Sequence, residues 1–289
     1  MIKENEPMRL HTTFKVGGNA RYYLVPESFD DVKKALDFAK EKKLPHYIIG
    51  KGSNLLFSDD PYEGVVIEIG SGLNDITITG TMIEADAGVS LATLSKKAAD
   101  ESLAGLEFAS GIPGTVGGAV VMNAGAYDGE IKNVLKEVKI LSNNNEIITK
   151  KTEELDLSYR HSIFQNNSDI VLSATFELQQ GNKEEIISKI KELNAKRKEK
   201  QPLEFPSAGS TFKRPEGYFA GKLIQDSGLR GFSVGGAQVS EKHCGFVVNT
   251  GDATAADIYE LITKVRQIVL EKQGVELEPE VRLVGFSDR

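Results

Sequence analysis

The segment from Gly105 to Tyr127, GLEFASGIPGTVGGAVVMNAGAY, constrains the fold of this chain more than any other. It holds six glycines, almost no charge and no sustained helical or strand periodicity. Glycine tolerates positive φ and leaves main-chain N–H groups uncovered, and successive N–H groups in such turns form anion-binding concavities. We therefore predict that this backbone closely approaches a ligand, and a pyrophosphate would fit. The alternative is a packed, glycine-rich crossover between two layers of a domain.

A second glycine turn follows a short apolar run. Residues 47–49 predict a strand, and the sequence GKGSNLL at 50–56 predicts a tight turn with N–H and hydroxyl donors. The dinucleotide-binding fingerprint needs a third glycine where Leu55 stands, and the P-loop needs Gly-Lys-Ser/Thr where the chain reads GKG. A nucleotide bound here therefore lies outside both of these designs.

Together these segments resemble the bacterial UDP-N-acetylenolpyruvoylglucosamine reductases, flavoenzymes that make UDP-N-acetylmuramate for peptidoglycan. The matching motifs are HTTFKVGG (11–18), IGKGSNLL (49–56), SGIPGTVGGAVVMNAGAY (110–127), YRHSIF (159–164), SAGSTFKRPEG (207–217) and EPEVRLVG (278–285). They occur in one order over nearly the whole chain. Only residues 165–169 separate YRHSIF from the strand predicted at Ile170, which leaves no room for the tyrosine-bearing segment of the longer class. The chain therefore resembles the shorter, type II class, whose site is expected to be more open.

The resemblance implies an α+β fold, with a two-lobed FAD-binding domain of the PCMH/vanillyl-alcohol-oxidase type and a C-terminal α+β substrate domain. We place the first flavin lobe at residues 1–76, the second at 77–181 and the substrate domain at 182–289. It also implies that non-covalent FAD and NADPH reduce UDP-N-acetylglucosamine enolpyruvate. Reduction of this enol ether needs a hydride source, an acid and a group that stabilises developing negative charge. No side chain donates hydride, so the flavin has to supply it.

Three residues match the catalytic residues of the family. Ser210 matches the serine that protonates the intermediate, although from spacing alone Ser207 and Thr211 offer equivalent hydroxyls. Arg160 matches the arginine beside the substrate carboxylate, where its planar fork can form two parallel hydrogen bonds. Glu280 matches the third catalytic residue, a polariser or proton relay that must be protonated or share Arg160. Glu278 is two residues away and would lie on the same face of a strand. The alternative is therefore that both glutamates only surround the end of that strand and take no part in the reaction.

The remaining site residues also come from the resemblance. The cofactor-binding set is Gly50, Lys51, Gly52, Ser53, Asn54, Ser110, Gly111, Gly114, Thr115, Gly117, Gly118, Asn123, Gly125, Ala126 and Arg282, and the substrate-binding set is Tyr127, Tyr159, Arg214 and His243. Arg282 could equally be a paired strand residue. No metal site is expected.

Local patterns predict several elements independently of the resemblance. Helices are expected at residues 28–43 with Ser28 as N-cap, after Ser90, at 182–201, and at 254–272 with Thr254 and Asp257 as a capping pair and Gly274 as the stop. A hairpin is expected where residues 138–141 and 147–149 flank an Asn-rich turn, and a strand at 170–178. Lys196, Arg197, Lys198 and Lys200 are expected to be a solvated helix end, although one of them could reach a substrate diphosphate.

Composition restricts the partners. The 289 residues carry 35 Lys and Arg against 42 Asp and Glu, a net charge of −7, so no overall basic field favours nucleic acid or anionic lipid. The start of the chain lacks the apolar core of a signal peptide, and no segment is apolar enough to span a membrane. We expect a cytoplasmic monomer. The single Cys244 is expected to be a small core residue.

Two other functions are compatible with parts of this pattern. An oxidase of the same flavin superfamily often holds its flavin through histidine, but the four histidines, His11, His46, His161 and His243, lie outside the segment 105–127. A nucleotide-sugar binding protein that lost its chemistry would not be expected to keep Arg160, Ser210 and Glu280 together.

Overall fold

A computed structural model describes residues 2–286 of the chain. Its α-helices are α1 (Phe29–Glu41), α2 (Leu91–Asp100), α3 (Val116–Val121), α4 (Lys183–Lys200), α5 (Ala220–Asp226) and α6 (Ala255–Gln273). Short 3₁₀ turns occur at Met8–Leu10, Glu107–Ala109, Ile131–Asn133, Thr152–Glu154 and Ile163–Gln165. Among the residues described, no helix has the length and apolar character needed to cross a membrane.

The strands are mostly short. In chain order they are β1 (Ile2–Pro7), β2 (Asn19–Leu24), β3 (His46–Ile49), β4 (Leu55–Phe57), β5 (Tyr62–Glu68), β6 (Ile76–Thr79), β7 (Met82–Asp86), β8 (Leu103–Ala104), β9 (Gly125–Ala126), β10 (Gly129–Glu130), β11 (Leu135–Leu141), β12 (Ile147–Lys151), β13 (Ile170–Glu177), β14 (Gln179–Gln180), β15 (Ser233–Val234), β16 (Ala237–Val239), β17 (Val247–Asn249) and β18 (Arg282–Val284).

The helix ends follow the local capping signals. The Ser28 and Ser90 side chains accept hydrogen bonds from the third residue of α1 and α2, as predicted. At α6, Thr254 and Asp257 form a reciprocal capping box and Gly274 ends the helix at a φ of 67°. These predictions succeed because a cap depends only on residues within about one turn of each other.

The chain divides into two compact units. Of the residues described, the first unit contains residue 2, Tyr23–Lys51 and Gly64–Arg197, and the second contains Lys3–Tyr22, Gly52–Glu63 and residues 198–286. Both units are built from segments that are distant in the sequence. The three-part division at residues 76 and 181 stays a prediction.

The first unit is built around an antiparallel sheet in the order β12-β11-β13-β7-β6. The predicted hairpin is confirmed as β11 and β12, with Leu141 opposite Ile147, and the predicted strand is confirmed as β13. Helix α3 packs against β13. A separate parallel pair joins β3 to β5, with Ile49 opposite Glu68, so the turns that leave these two strands begin at the same edge.

The second unit has a three-stranded antiparallel sheet in the order β15-β16-β17, against which α6 packs. Its core contains Leu261, Val265 and Val269 of α6, together with Phe14 and Phe212. Cys244 lies in this core, as predicted, and burial raises the pKa of its thiol. A parallel pair, β4 with β18, sets Leu55 opposite Arg282.

Candidate functional site

The glycine-rich segment 105–127 lies beside residues 87–91 in the first unit. The Leu91 N–H donates to the Gly114 carbonyl at 3.1 Å, and the Val116 and Gly117 N–H groups donate to Val89 and Ala87 at 2.9 and 2.8 Å. The chain then turns into α3, whose N-cap is Thr115. The segment thus contains a helix that its composition did not predict, because tertiary contacts outweigh the poor helix propensity of glycine.

The glycines of this segment have different roles. A Cβ on Gly117 would lie 2.9 Å from the Ala87 Cβ, and one on Gly111 would lie 2.6 Å from the Asn194 Oδ1, so both positions are set by internal packing. Gly118 differs. A Cβ there would meet only the Thr115 Oγ1, at 3.6 Å, and the residue is exposed. Of these three, only Gly118 leaves open space in which a ligand could approach its backbone.

The turn after β3 contacts the N-terminus of α3. A Cβ on Gly50 would lie 2.4 Å from the Thr115 Oγ1, the atom that accepts the Gly118 N–H at 3.3 Å. The two predicted cofactor segments are therefore in direct contact in the first unit. In the second unit Gly52 has a φ of 59°, and a Cβ there would lie 2.0 Å from the His11 carbonyl oxygen. Position 52 therefore requires glycine because of its backbone conformation and its close contact with His11, whether or not a cofactor binds there.

A cleft of about 460 Å³ opens beside these contacts, within the range of small-molecule sites. It is lined by Gly50, Lys51, Glu68, Gly70, Ser71, Asn74, Gly88, Val89, Ser90, Thr93 and Thr115. Sequence reasoning identified only Gly50, Lys51 and Thr115 among them. Glu68 ends β5 and Thr93 lies in the first turn of α2, and the others lie in two short glycine turns, at 70–74 and 88–90, which were a usable signal because each follows a strand. The lining offers the Lys51 cation, hydroxyl groups and backbone amides, which suit a phosphate-bearing, hydroxylated ligand such as FAD, and one carboxylate, Glu68, which accepts the Tyr23 hydroxyl.

The turns at 70–74 and 88–90 are in close backbone contact with each other. A Cβ on Gly88 would lie 1.9 Å from the Gly70 carbonyl oxygen, and the Gly88 N–H donates to the Leu73 carbonyl at 2.9 Å. Beside them the Tyr23 hydroxyl donates to the Glu68 carboxylate. The two turns therefore form one wall of the cleft by direct backbone contact, and a side chain at Gly88 would disrupt this contact.

Arg160 is fixed against the end of the glycine-rich segment. Its Nη2 donates to the Gly125 carbonyl at 3.2 Å, and its guanidinium lies 5.0 Å from the centre of the Tyr159 ring. Gly125 and Ala126 form β9. Arg160 has a φ of 54°, and Asn123, Tyr127 and Asp128 also have positive φ. Such backbone is uncommon for residues other than glycine, and it clusters at functional sites.

Asn123 uses its side chain for internal hydrogen bonds. The buried Nδ2 donates to the Glu130 carboxylate and to the Ser158 carbonyl, both at 2.9 Å, while Oδ1 accepts the Lys132 N–H at 2.9 Å. These bonds tie the loop that carries Tyr159 and Arg160 to the glycine-rich segment. Asn123 thus supports the site through its neighbours, and any cofactor contact by it would use its backbone.

Arg197, which was expected within a solvated helix end, contacts the glycine-rich segment. The expected solvated end of α4 holds for Lys196, Lys198 and Lys200, which are exposed, but Arg197 is half-buried. Its Nη1 donates to the Gly111 carbonyl, and burial lowers the pKa of its guanidinium. Ser110 lies nearby, with its Oγ 2.9 Å from the Glu107 carbonyl oxygen. The expectation was wrong for Arg197 because helical position alone did not show which segment covers it.

In the second unit, Ser210 and Glu280 are carried by neighbouring segments. The Glu280 N–H donates to the Thr211 carbonyl at 2.8 Å, and the Lys213 N–H donates to the Glu278 carbonyl at 2.8 Å. Ser210 is exposed, whereas the Thr211 hydroxyl is buried and accepts the Val247 N–H at 2.9 Å. Glu278 pairs with Lys213 at 2.5 Å and is exposed, while Glu280 is half-buried. The geometry favours Ser210 over Thr211 and Glu280 over Glu278.

The turn after Gly52 contacts the segment that carries Glu280. The Asn54 Nδ2 donates to the Glu280 carbonyl at 3.0 Å, and the Arg282 N–H donates to the Asn54 carbonyl at 3.0 Å. Arg282 is thus a paired strand residue, which does not conflict with a cofactor contact by its half-buried side chain. Ser53, next to Asn54, is also half-buried.

The remaining substrate candidates of the second unit have local partners. The exposed Arg214 lies 4.0 Å from the centre of the Phe219 ring, and its Nε donates to the Tyr218 carbonyl at 3.3 Å. The His243 Nδ1 accepts the Gly245 N–H at 3.1 Å, and burial lowers the pKa of this imidazole. His243 is therefore expected to be neutral at neutral pH.

Comparison with known proteins defines first the class and then the family. Residues 20–150 match a model of an FAD binding domain, so the chain is a flavoprotein, and residues 201–284 match a model of the UDP-N-acetylenolpyruvoylglucosamine reductase C-terminal domain. Curated reductases of that name from Lachnoclostridium phytofermentans and Agathobacter rectalis are 55% and 56% identical, over 97% and 98% of this chain and 92% and 94% of their own lengths. The chain belongs to the UDP-N-acetylenolpyruvoylglucosamine reductase family.

A solved structure supports the same assignment. The UDP-N-acetylenolpyruvylglucosamine reductase from Thermus caldophilus superposes with a TM-score of 0.85 at 34% identity and covers 98% of both chains. The predicted α+β class with an FAD-binding domain is confirmed, as is FAD as cofactor. Membership of this family favours a reductase over the two alternatives, an oxidase of the flavin superfamily and a non-catalytic nucleotide-sugar binding protein.

Proposed function

We propose that this chain reduces UDP-N-acetylglucosamine enolpyruvate to UDP-N-acetylmuramate with NADPH, as a cytoplasmic monomer in peptidoglycan precursor synthesis. The observation that carries the proposal is the backbone pairing of residues 211–213 with 278–280, which makes the segment that carries the exposed Ser210 a direct neighbour of the segment that carries the half-buried Glu280. An acid and a polarising carboxylate are what reduction of an enol ether requires once hydride is available.

FAD fits the residues of the first unit. Gly50, Lys51 and Thr115, with the turns at 70–74 and 88–90, would hold it through backbone amides and the Lys51 charge. When bound, it supplies hydride to one alkene carbon after reduction by the nicotinamide nucleotide. The other steps of the reaction belong to the side chains.

Arg160 would orient the substrate carboxylate and stabilise it. Since its Nη2 is held on the Gly125 carbonyl, the guanidinium plane is restrained before substrate binds. A planar fork keeps a carboxylate coplanar with the alkene, so that negative charge can spread into it as the enolate forms. A flexible ammonium group would provide the charge without this orientation.

Ser210 would donate the proton to the second alkene carbon. A serine hydroxyl is a weak acid, but an enolate carbon is a strong enough base to take its proton when the resulting alkoxide is hydrogen-bonded. Thr211 is less suitable, because its buried hydroxyl accepts the Val247 N–H. Glu280 would polarise the substrate or relay the replacement proton to Ser210.

The experiment separates the two half-reactions of Ser210→Ala. The variant should bind FAD, bleach anaerobically with NADPH and bind the enolpyruvyl sugar nucleotide as wild type does. Reoxidation of the reduced enzyme by this substrate should slow by about 100-fold to 10,000-fold, the usual worth of a general acid. Ser210→Cys, a better acid of similar size, should recover part of the rate. If Ser210→Ala reoxidises within about tenfold of wild type, another group donates the proton.

A further inference from the structure

Asn54 connects the cofactor turn to the backbone of Glu280. Its Nδ2 donates to the Glu280 carbonyl at 3.0 Å, and its own carbonyl accepts the Arg282 N–H at 3.0 Å. Asn54 therefore bonds the residues on both sides of Val281, at the point where the β4–β18 ladder begins with Leu55 opposite Arg282. Its side chain thereby fixes where Glu280 enters this ladder.

Glu280 is held from its other side as well. Its N–H donates to the Thr211 carbonyl at 2.8 Å, next to Ser210. The peptide groups around Glu280 are thus bonded to the turn after Gly52 and to the Ser210 segment. Because a carboxylate's position follows its backbone, loss of either bond would shift Glu280 relative to Ser210.

We infer that Asn54 is a positioning residue for Glu280, an inference that rests on the proposed function. Through the hydrogen bond of its Nδ2 to the Glu280 carbonyl, its side chain acts on the reaction of the substrate, in addition to any contact with the cofactor that the resemblance implies. A displacement of about 1 Å at a reacting group can cost about a hundredfold in rate, so one lost hydrogen bond can matter here.

The test uses the FAD-loaded full-length enzyme with Asn54→Ala, and with Asn54→Ser as a milder variant whose hydroxyl ends one bond nearer the backbone. The FAD dissociation constant and the rate of reduction by NADPH should stay within about twofold of wild type, and reoxidation by the enolpyruvyl sugar nucleotide should fall by about tenfold to a hundredfold. Thr250→Val is the matched control, since it removes a 2.8 Å side-chain bond to the Gly236 carbonyl in the same unit. It should change none of the three.

A double-mutant cycle distinguishes positioning from general damage. If Asn54 acts through Glu280, Asn54→Ala should change reoxidation by less than about twofold in a Glu280→Gln background. Additive losses in that background, or FAD binding weakened by more than about tenfold in Asn54→Ala, would overturn the inference while wild-type turnover leaves the proposed function intact. If wild type is not reoxidised by this substrate, the proposed function fails and the inference fails with it.

Discussion

Two adjacent glycines in α3 permit a test that separates folding from cofactor binding. Gly117→Ala would set a methyl group 2.9 Å from the Ala87 Cβ and 3.3 Å from the Ala87 carbonyl oxygen. Carbon atoms pack at about 3.5–4.0 Å, so the helix must move off residues 87–89 or strain the Gly117 hydrogen bond to Ala87. Overpacking of this kind typically costs about 1–3 kcal/mol of the free energy of unfolding.

Gly118→Ala should behave in the opposite way. Its methyl group would meet only the Thr115 Oγ1, at an ordinary 3.6 Å. Alanine is favoured over glycine in a helix by up to about 1 kcal/mol, so the free energy of unfolding of the apoprotein should stay equal or rise slightly. If the Gly118 backbone contacts FAD, however, the methyl group occupies space that the cofactor needs. FAD binding should then weaken at least about tenfold, or about 1.4 kcal/mol.

Urea unfolding of the apoproteins and fluorescence titration with FAD would measure the two quantities. Gly117→Ala is expected to lower the unfolding midpoint, and Gly118→Ala to leave it unchanged and lower FAD affinity. A Gly118→Ala protein that binds FAD as tightly as wild type would refute the assignment of this backbone to the cofactor. A Gly117→Ala protein as stable as wild type would refute the packing argument.

Two further predictions concern charged groups of the first unit. Arg160→Lys should keep FAD and its reduction by NADPH but slow reoxidation by substrate, because a point charge cannot reproduce a two-bond clamp; equal losses in both half-reactions, measured by anaerobic stopped flow, would indicate a structural ion pair instead. Burial raises the pKa of Asp86 above its ordinary value, so its ionised form destabilises the fold at neutral pH and acidification through the raised pKa relieves this cost. Asp86→Asn, which can still accept the Asp75 N–H, should therefore raise Tm at pH 7, with the gain shrinking as pH falls; a gain that does not change with pH would contradict this reasoning.

The sequence by itself determined the local features of this protein. Helix α6 begins at Thr254 and ends before Gly274 because the capping groups lie within a turn of the groups they satisfy. The two glycine segments were sufficient to indicate a ligand bound outside the Rossmann and P-loop designs, because backbone approach to a phosphate restricts which residues a turn can hold, and the resemblance of six motifs to the family indicated a flavoenzyme. Neither inference needed the position of any distant residue.

Only the tertiary structure decided which of several equivalent side chains are exposed and which are engaged by neighbouring segments. Spacing could not separate Ser210 from Thr211, whereas the structure shows that the Thr211 hydroxyl is buried and accepts the Val247 N–H while Ser210 is exposed. The burial of Arg197 beside Gly111 and the cleft lining at 70–74 and 88–90 likewise depend on segments tens of residues apart. The physical reason is that burial and hydrogen-bond partners are properties of packed segments, whereas a sequence pattern reports only the periodicity and turn preferences of one segment at a time.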